Sequence, residues 1–284
     1  MPLTNILVPV DGSTYSQRAI DYAFWLAQHL DGSVTAQHIV DPRLLDMIIA
    51  PEFAENLGFA TTVDASEKAR IALQTIGETI LDLVRKEAKD KVEVETLLDF
   101  GWIVEQILER AAAHDLVIVG HHGKRAEGTL ANTMIGSVAE RVAVLSKKSV
   151  LVATHPVVDV KEIAVAFDGS EPSRGALLLG ESLAMKTNKP LKAVVVAQSG
   201  AKEHMAEAHL TVEQGSRVLR EMSGKEVFSI LEGSTTKTIL GYATASRALL
   251  ILGAYGYTTP EENVLGSTTT GVIRRASTSV LIVR

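Results

Sequence analysis

Gly253-Ala254-Tyr255-Gly256, followed after nine residues by Gly266-Ser267-Thr268, has the residue types needed to hold an anion. Glycine lets a phosphate approach the backbone closely, and a helix starting at Ser267 would present unpaired N–H groups and the positive end of its dipole. Ser267 and Thr268 add hydroxyl donors. Asp168 closes the run Val165-Ala166-Phe167 and supplies a carboxylate able to accept from a ribose hydroxyl or to hold a magnesium ion. Each piece alone has an ordinary explanation: glycines after strands serve turns, Ser and Thr cap helices, and Asp before Gly-Ser is turn chemistry. Their convergence on one crevice edge points to a ligand. The spacing is not that of a P-loop, since no Gly-Lys-Ser/Thr follows. It is not the dinucleotide fingerprint either, since these glycines follow a fourth strand rather than a first.

The same chemistry is written twice. Val8-Pro9-Val10-Asp11-Gly12-Ser13 matches Val165-Ala166-Phe167-Asp168-Gly169-Ser170, Gly120-His121-His122-Gly123 matches Gly253-Ala254-Tyr255-Gly256, and Gly136-Ser137 matches Gly266-Ser267. Each copy closes on Ser-Val-Leu, at Ser149 and at Ser279. A unit of half the chain is a duplicated domain rather than a short solenoid repeat. We expect domains at 1–154 and 160–284, held close by a short linker.

The copies are unequal. Twelve residues separate Gly123 from Gly136, against nine in the second copy, and the extra length includes Lys124 and Arg125. These could assist a phosphate, but the backbone donors are displaced, so nucleotide binding and a degenerate or differently specific pocket both stay open for the first half. The second half has Ala248 where the first has Asp115, and Thr268-Thr269-Thr270-Gly271 is a poor helix start. The first half also carries about 24 extra residues, mostly within 42–62, among them Leu44, Leu45, Met47, Ile48, Ile49 and Phe53. This segment reads as a packing arm or subunit contact, or as a lid over a pocket.

Positioning these residues requires alternating strands and helices. Asn5 to Val10 is a continuous apolar run, as in a strand buried on both faces, and Asp-Gly-Ser then starts a helix with Ile20, Ala23, Phe24, Ala27 and Leu30 on one side. Strands follow over 36–40 and 92–98, with helices over 67–89 and 103–113. In the second half, strands over 162–167, 191–197, 226–231, 248–252 and 279–283 alternate with helices over 173–186, 202–222, 236–246 and 267–276. The fold class is α/β, with two tandem doubly wound parallel sheets whose ligands bind at the carboxyl ends of the strands. The last strand of each half would be a sheet edge, so we expect the two edges to pair within the chain.

Bulk properties narrow the function. The 284 residues are 46% hydrophobic and 22% charged, enough for two cores. A net charge of −6 provides no basic field for nucleic acid. The absence of cysteine removes disulfides, thiolate metal sites and cysteine nucleophiles. No apolar run reaches membrane-spanning length and the N-terminus enters a strand at once, so a cytoplasmic location is expected.

At these motifs the chain resembles the universal stress protein family in its tandem, two-domain form. The most specific shared element is Gly, two residues, Gly, nine residues, Gly, then Ser or Thr, met by Gly253, Gly256, Gly266 and Ser267. The resemblance implies five strands per domain in the order 3-2-1-4-5, an adenine nucleotide alpha hydrolase-like fold, and dimer-like pairing through the last strand. It implies ATP, with Mg2+, as ligand. The acid after the first strand would meet ribose or metal, and backbone at the end of the second strand would meet adenine. The binding residues would then be Ala166, Asp168, Ala197, Gly253, Gly256, Gly266, Ser267 and Thr268 in the second half. In the first they would be Pro9, Asp11, Val40, Gly120, Gly123, Gly136 and Ser137.

His121 and His122, with His114 nearby, lack an acidic partner and read as a solvated or phosphate-facing pair rather than a metal site. Trp25 and Trp102 read as core or near-core residues of their helices. No Ser-His-Asp or paired-carboxylate arrangement stands out. The leading expectation is an ATP-binding regulatory stress protein with the second half as the better site, forming a homodimer and meeting an unknown protein partner. A scaffold or binder of another small ligand, and a slow ATP hydrolase, are the alternatives.

Overall fold

The computed structural model describes residues 3–49, 62–123, 135–198, 202–219, 226–256 and 265–284. The first half runs β1 (Asn5–Pro9), α1 (Thr14–Leu30), β2 (Ser33–Val40), α2 (Pro42–Ile49), α3 (Thr62–Ala88), β3 (Glu93–Phe100), α4 (Ile103–Ala111), β4 (Leu116–Gly120), α5 (Ser137–Leu145) and β5 (Ser149–Ala153). A 3-10 turn, Val157–Asp159, leads into β6 (Glu162–Ala166), α6 (Glu171–Lys186), β7 (Leu191–Ala197), α7 (Lys202–Val218), β8 (Phe228–Glu232), α8 (Thr235–Ala245), β9 (Ala248–Gly253), α9 (Ser267–Arg275) and β10 (Val280–Val283).

The ten strands among the described residues form one sheet, in the order β3-β2-β1-β4-β5-β10-β9-β6-β7-β8. Each half has the expected 3-2-1-4-5 order. Pairing is parallel everywhere except at the seam, where β5 and β10 run antiparallel with Val280 opposite Val152 and Ile282 opposite Val150. The edge-pairing expectation is met inside the chain. Ser279 Oγ reinforces the seam by accepting from Thr154 N at 2.9 Å and His155 N at 3.2 Å.

Alternation along the buried strands distributes side chains to two apolar layers. Ile6, Val8, Leu116 and Ile118 face a cluster with α1, α3, α6 and α7, whereas Leu7, Val117 and Val119 face one with α4, α5, α8 and α9. Both clusters contain residues from both halves, so the core is continuous across the seam.

Several boundaries differ from the sequence reading. Helix α3 starts at Thr62 rather than near Glu67, so part of the first-half insertion is taken up as helix, along with α2, which packs on α3. Residues 50–61, including Phe53, lie outside the described residues, as do Lys124 and Arg125. Trp102 corrects the core assignment: it sits at the N-cap of α4, 54% exposed, with the Arg43 guanidinium over its ring. Preceding the helix, it has no neighbouring turn to cover it. Trp25 does pack against the core.

Candidate functional site

Both Asp-Gly-Ser segments fold alike, for local reasons. In the second half Asp168 Oδ1 accepts from Ser170 N at 3.0 Å and from Ser170 Oγ at 2.5 Å, Gly169 takes a φ of 83°, and Ser170 Oγ caps α6 by accepting from Ser173 N. In the first half Asp11 Oδ1 accepts from Ser13 N at 2.9 Å, Gly12 has a φ of 75°, and Ser13 Oγ accepts from Ser16 N at 3.1 Å. One carboxylate oxygen therefore builds the turn. The other faces the glycine loop: a Cβ on Gly256 would lie 3.5 Å from Asp168 Oδ2, and one on Gly123 would lie 3.1 Å from Asp11 Oδ2.

The loop glycines divide into two kinds. A Cβ on Gly253 would lie 2.7 Å from the Pro172 carbonyl carbon, and one on Gly120 would lie 2.7 Å from that of Tyr15. These two glycines let a helix start press against a strand end. Gly256 and Gly266 have no such constraint: their φ values are not left-handed, and a Cβ would meet its nearest neighbour at 3.5 Å and 3.4 Å, ordinary contact. Their backbones are bare where neither folding nor packing requires it.

In the second half these residues surround a cleft of about 480 Å³ at the carboxyl ends of β6, β7 and β9. Ala166, Asp168, Ala197, Gly253, Gly256, Gly266, Ser267 and Thr268 all line it. Gly266 is the N-cap of α9 and uses no side chain to cap it. The unfavourable Thr-rich start of α9 is offset by a tertiary bond, Thr269 Oγ1 donating to Gly253 O at 2.9 Å. Gln198, His204 and Glu207 add polar groups on the opposite side.

The first half has a larger cleft, about 780 Å³, lined by Pro9, Asp11, Val40, Gly120, Gly123, Gly136 and Ser137. Leu44 of α2 joins the lining, so the described part of the insertion both packs on α3 and walls the cleft.

His121 and His122 also line this cleft, but not as a solvated pair: they are 3% and 5% exposed. The Tyr15 ring, presented by the first turn of α1, lies 6.2 Å from the His121 ring and 5.1 Å from that of His122. Burial, reinforced by His122 and Arg18, pushes the His121 pKa down to about 4. His114 Nδ1 lies 2.7 Å from Arg110 O, away from the pair, and no group of three or more metal-ligating side chains forms among the described residues.

Sequence reasoning passed over Gln37. Fully buried on β2, it donates from Nε2 to Asp99 Oδ2 at 2.8 Å and to Gln106 O at 3.2 Å, and it lines the first cleft. A lone glutamine within an apolar strand is the signal that could have found it. Asp99 is held below the usual carboxylate range by Arg110, whose Nη2 lies 2.6 Å from Oδ1.

The family model for the universal stress protein family matches residues 2–154 and again residues 159–284. The chain belongs to that family. This universal stress protein is 25% identical to one from Synechocystis sp., over 99% of this chain and all of the relative. Its fold is similar to that of a universal stress protein from Archaeoglobus fulgidus, at 22% identity and a TM-score of 0.65, covering 98% of this chain and 97% of the other. It is also similar to a functionally unknown protein from Pseudomonas aeruginosa, at 15% identity and a TM-score of 0.69, covering 99% and 92%. Tandem arrangement of the family's unit is thus a property of the whole chain.

Proposed function

We propose that this universal stress protein is a nucleotide-responsive regulator whose second-half cleft binds ATP. The observation that carries the reading is the pair of bare glycines, Gly256 and Gly266, placed between the Asp168 carboxylate and the N-terminus of α9 without a packing reason for being glycine. Backbone N–H groups at a helix start, with Ser267 and Thr268 hydroxyls, suit phosphate oxygens. Backbone at Ala197 would meet the adenine and Asp168 the ribose or the magnesium carried by the phosphates. Bound magnesium would supply charge neutralisation at the phosphates; Asp168 is the residue of this chain that would hold it. A cleft of about 480 Å³ is of the size that holds such ligands.

The reading includes two domains, at 1–154 and 160–284, and action in the cytoplasm; no helix among the described residues is long and apolar enough to cross a membrane. It also includes a homodimer, supported by the two strands, β3 and β8, that end the sheet within one chain. Light scattering on the full chain tests this last part: a mass of one chain would refute it.

The nucleotide reading is tested by mass spectrometry of nucleotide released from the purified protein, and by calorimetry with Mg2+ and ATP. Replacing Gly266 with Leu fills the cradle and is expected to weaken ATP by tenfold or more, about 1.4 kcal/mol. No binding at millimolar ATP would sink the reading. Unchanged affinity in Gly266→Leu would move the site elsewhere.

A further inference from the structure

The two clefts occupy equivalent places in equivalent halves, which allows comparison position by position. Gly101 and Gly233 have φ values of 149° and 145°, and each donates its N–H to the last residue of the neighbouring strand, Val40 O at 3.1 Å and Ala197 O at 3.0 Å. Two residues further on, the helix begins with Ile103 in the first half and Thr235 in the second. Both line their clefts. Gly136 and Gly266 are likewise equivalent N-caps, with the same burial pattern over the following four residues, and the second helical position is Val138 against Thr268. On the helix that covers each cleft, α3 over 73–87 and α7 over 204–218 share their burial pattern at all but one position, which equates Ile80 with Thr211, and both residues line their clefts. Three hydroxyl-bearing lining positions of the second cleft are aliphatic in the first.

The floor changes in the opposite sense. The strand register equates Gln37 with Val194, and the loop equates His121 with Ala254. Gln37 Oε1 and both ring nitrogens of His121 are buried without a hydrogen-bond partner, and both residues line the first cleft. The orientation of the Gln37 amide is set by its two acceptors, Asp99 and the Gln106 carbonyl, so the orphan is the oxygen. Among the described residues, no lining residue of the second cleft carries such an orphan. A buried polar atom without a partner is costly, and a bound molecule is one way to supply the partner.

Aliphatic walls with a few polar groups form the usual pattern of a site for a compact, largely apolar ligand. We propose that the first-half cleft is a separate binding site for an uncharged molecule with an apolar, aromatic or branched body and a hydrogen-bond donor that reaches Gln37 or His121. A nucleoside triphosphate is not its ligand. The proposal is independent of ATP binding in the second half. It makes the chain a receptor for two different chemistries, one on each half of a shared sheet.

The test uses N-phenyl-1-naphthylamine, an uncharged aromatic probe with one N–H, titrated by fluorescence into the full chain. Saturable binding at one site per chain is expected, with an affinity unaffected by saturating Mg2+ and ATP. The triple exchange Ile80→Thr, Ile103→Thr and Val138→Thr, which installs the second-half residues, is expected to weaken the probe by about tenfold or more. Gln37→Met, which removes the acceptor at similar size, is expected to weaken it several-fold. All three exchanged side chains are only half-buried, and Ile103→Thr alone serves where the triple variant fails to fold. Absence of saturable binding, undiminished binding in the folded exchange variants, or displacement of the probe by ATP would each overturn the proposal.

Discussion

At the scale of single residues, His121 shows how packing alters chemistry. Its ring is placed under Tyr15, next to His122 and near Arg18, and burial holds it neutral, with a pKa pushed down to about 4 from an ordinary 6.5. A group whose folded pKa is depressed contributes stability above its unfolded pKa and loses it as the pH falls. Stability should therefore decline between about pH 6.5 and about pH 4, and His121→Phe should flatten that part of the curve. Urea titrations across this range measure both slopes; parallel slopes for the two proteins would show that His121 is not the titrating group. The residue type and its place in the glycine loop were legible from sequence. Its burial was not, because it depends on a side chain more than a hundred positions away.

At the scale of elements, the strand-turn-helix units were readable because their determinants are local. Asp-Gly-Ser encodes a turn with positive φ and a cap, and an apolar run before it encodes a buried strand. The limits of α3 and α7 were less legible, since helix ends follow from caps and packing that periodicity does not reveal. The glycines after β4 and β9 combine both kinds of information. Gly253→Ala would drive a Cβ to 2.7 Å from the Pro172 backbone and should cost about 1–3 kcal/mol of stability. Gly256→Ala, which meets its nearest atom at 3.5 Å, should cost much less. Chemical denaturation of the two variants separates a packing glycine from a bare one. Equal losses would undo the distinction on which the ATP site rests.

At the scale of the whole molecule, the two halves are joined by more than a linker. Arg284, at the end of β10, donates from Nη2 to Ala143 O at 2.8 Å and Val144 O at 2.9 Å on α5, and from Nη1 to Tyr255 Oη in the second glycine loop. Arg274 and Glu140 tie α9 to α5 at 2.6 Å. With a shared sheet and two shared apolar layers, the chain should unfold in one cooperative transition by calorimetry, with calorimetric and van't Hoff enthalpies equal. Arg284→Ala leaves the α5 carbonyls without their charged donor and should lower stability by about 1.5–3 kcal/mol, seen as a lower denaturation midpoint. Two resolved transitions in the parent protein would mean that the seam is weaker than its contacts suggest.

The sequence by itself determined the duplication, the α/β alternation, the turn chemistry of both Asp-Gly-Ser segments and the family, because each is written in residues close together along the chain or in their repetition. Only the tertiary structure decided that the ten strands form one sheet, which glycines serve packing and which stand bare, and that the first cleft has aliphatic walls over unsatisfied polar groups. Those properties arise between residues distant in sequence, where hydrogen bonding and close packing are settled by the chain as a whole.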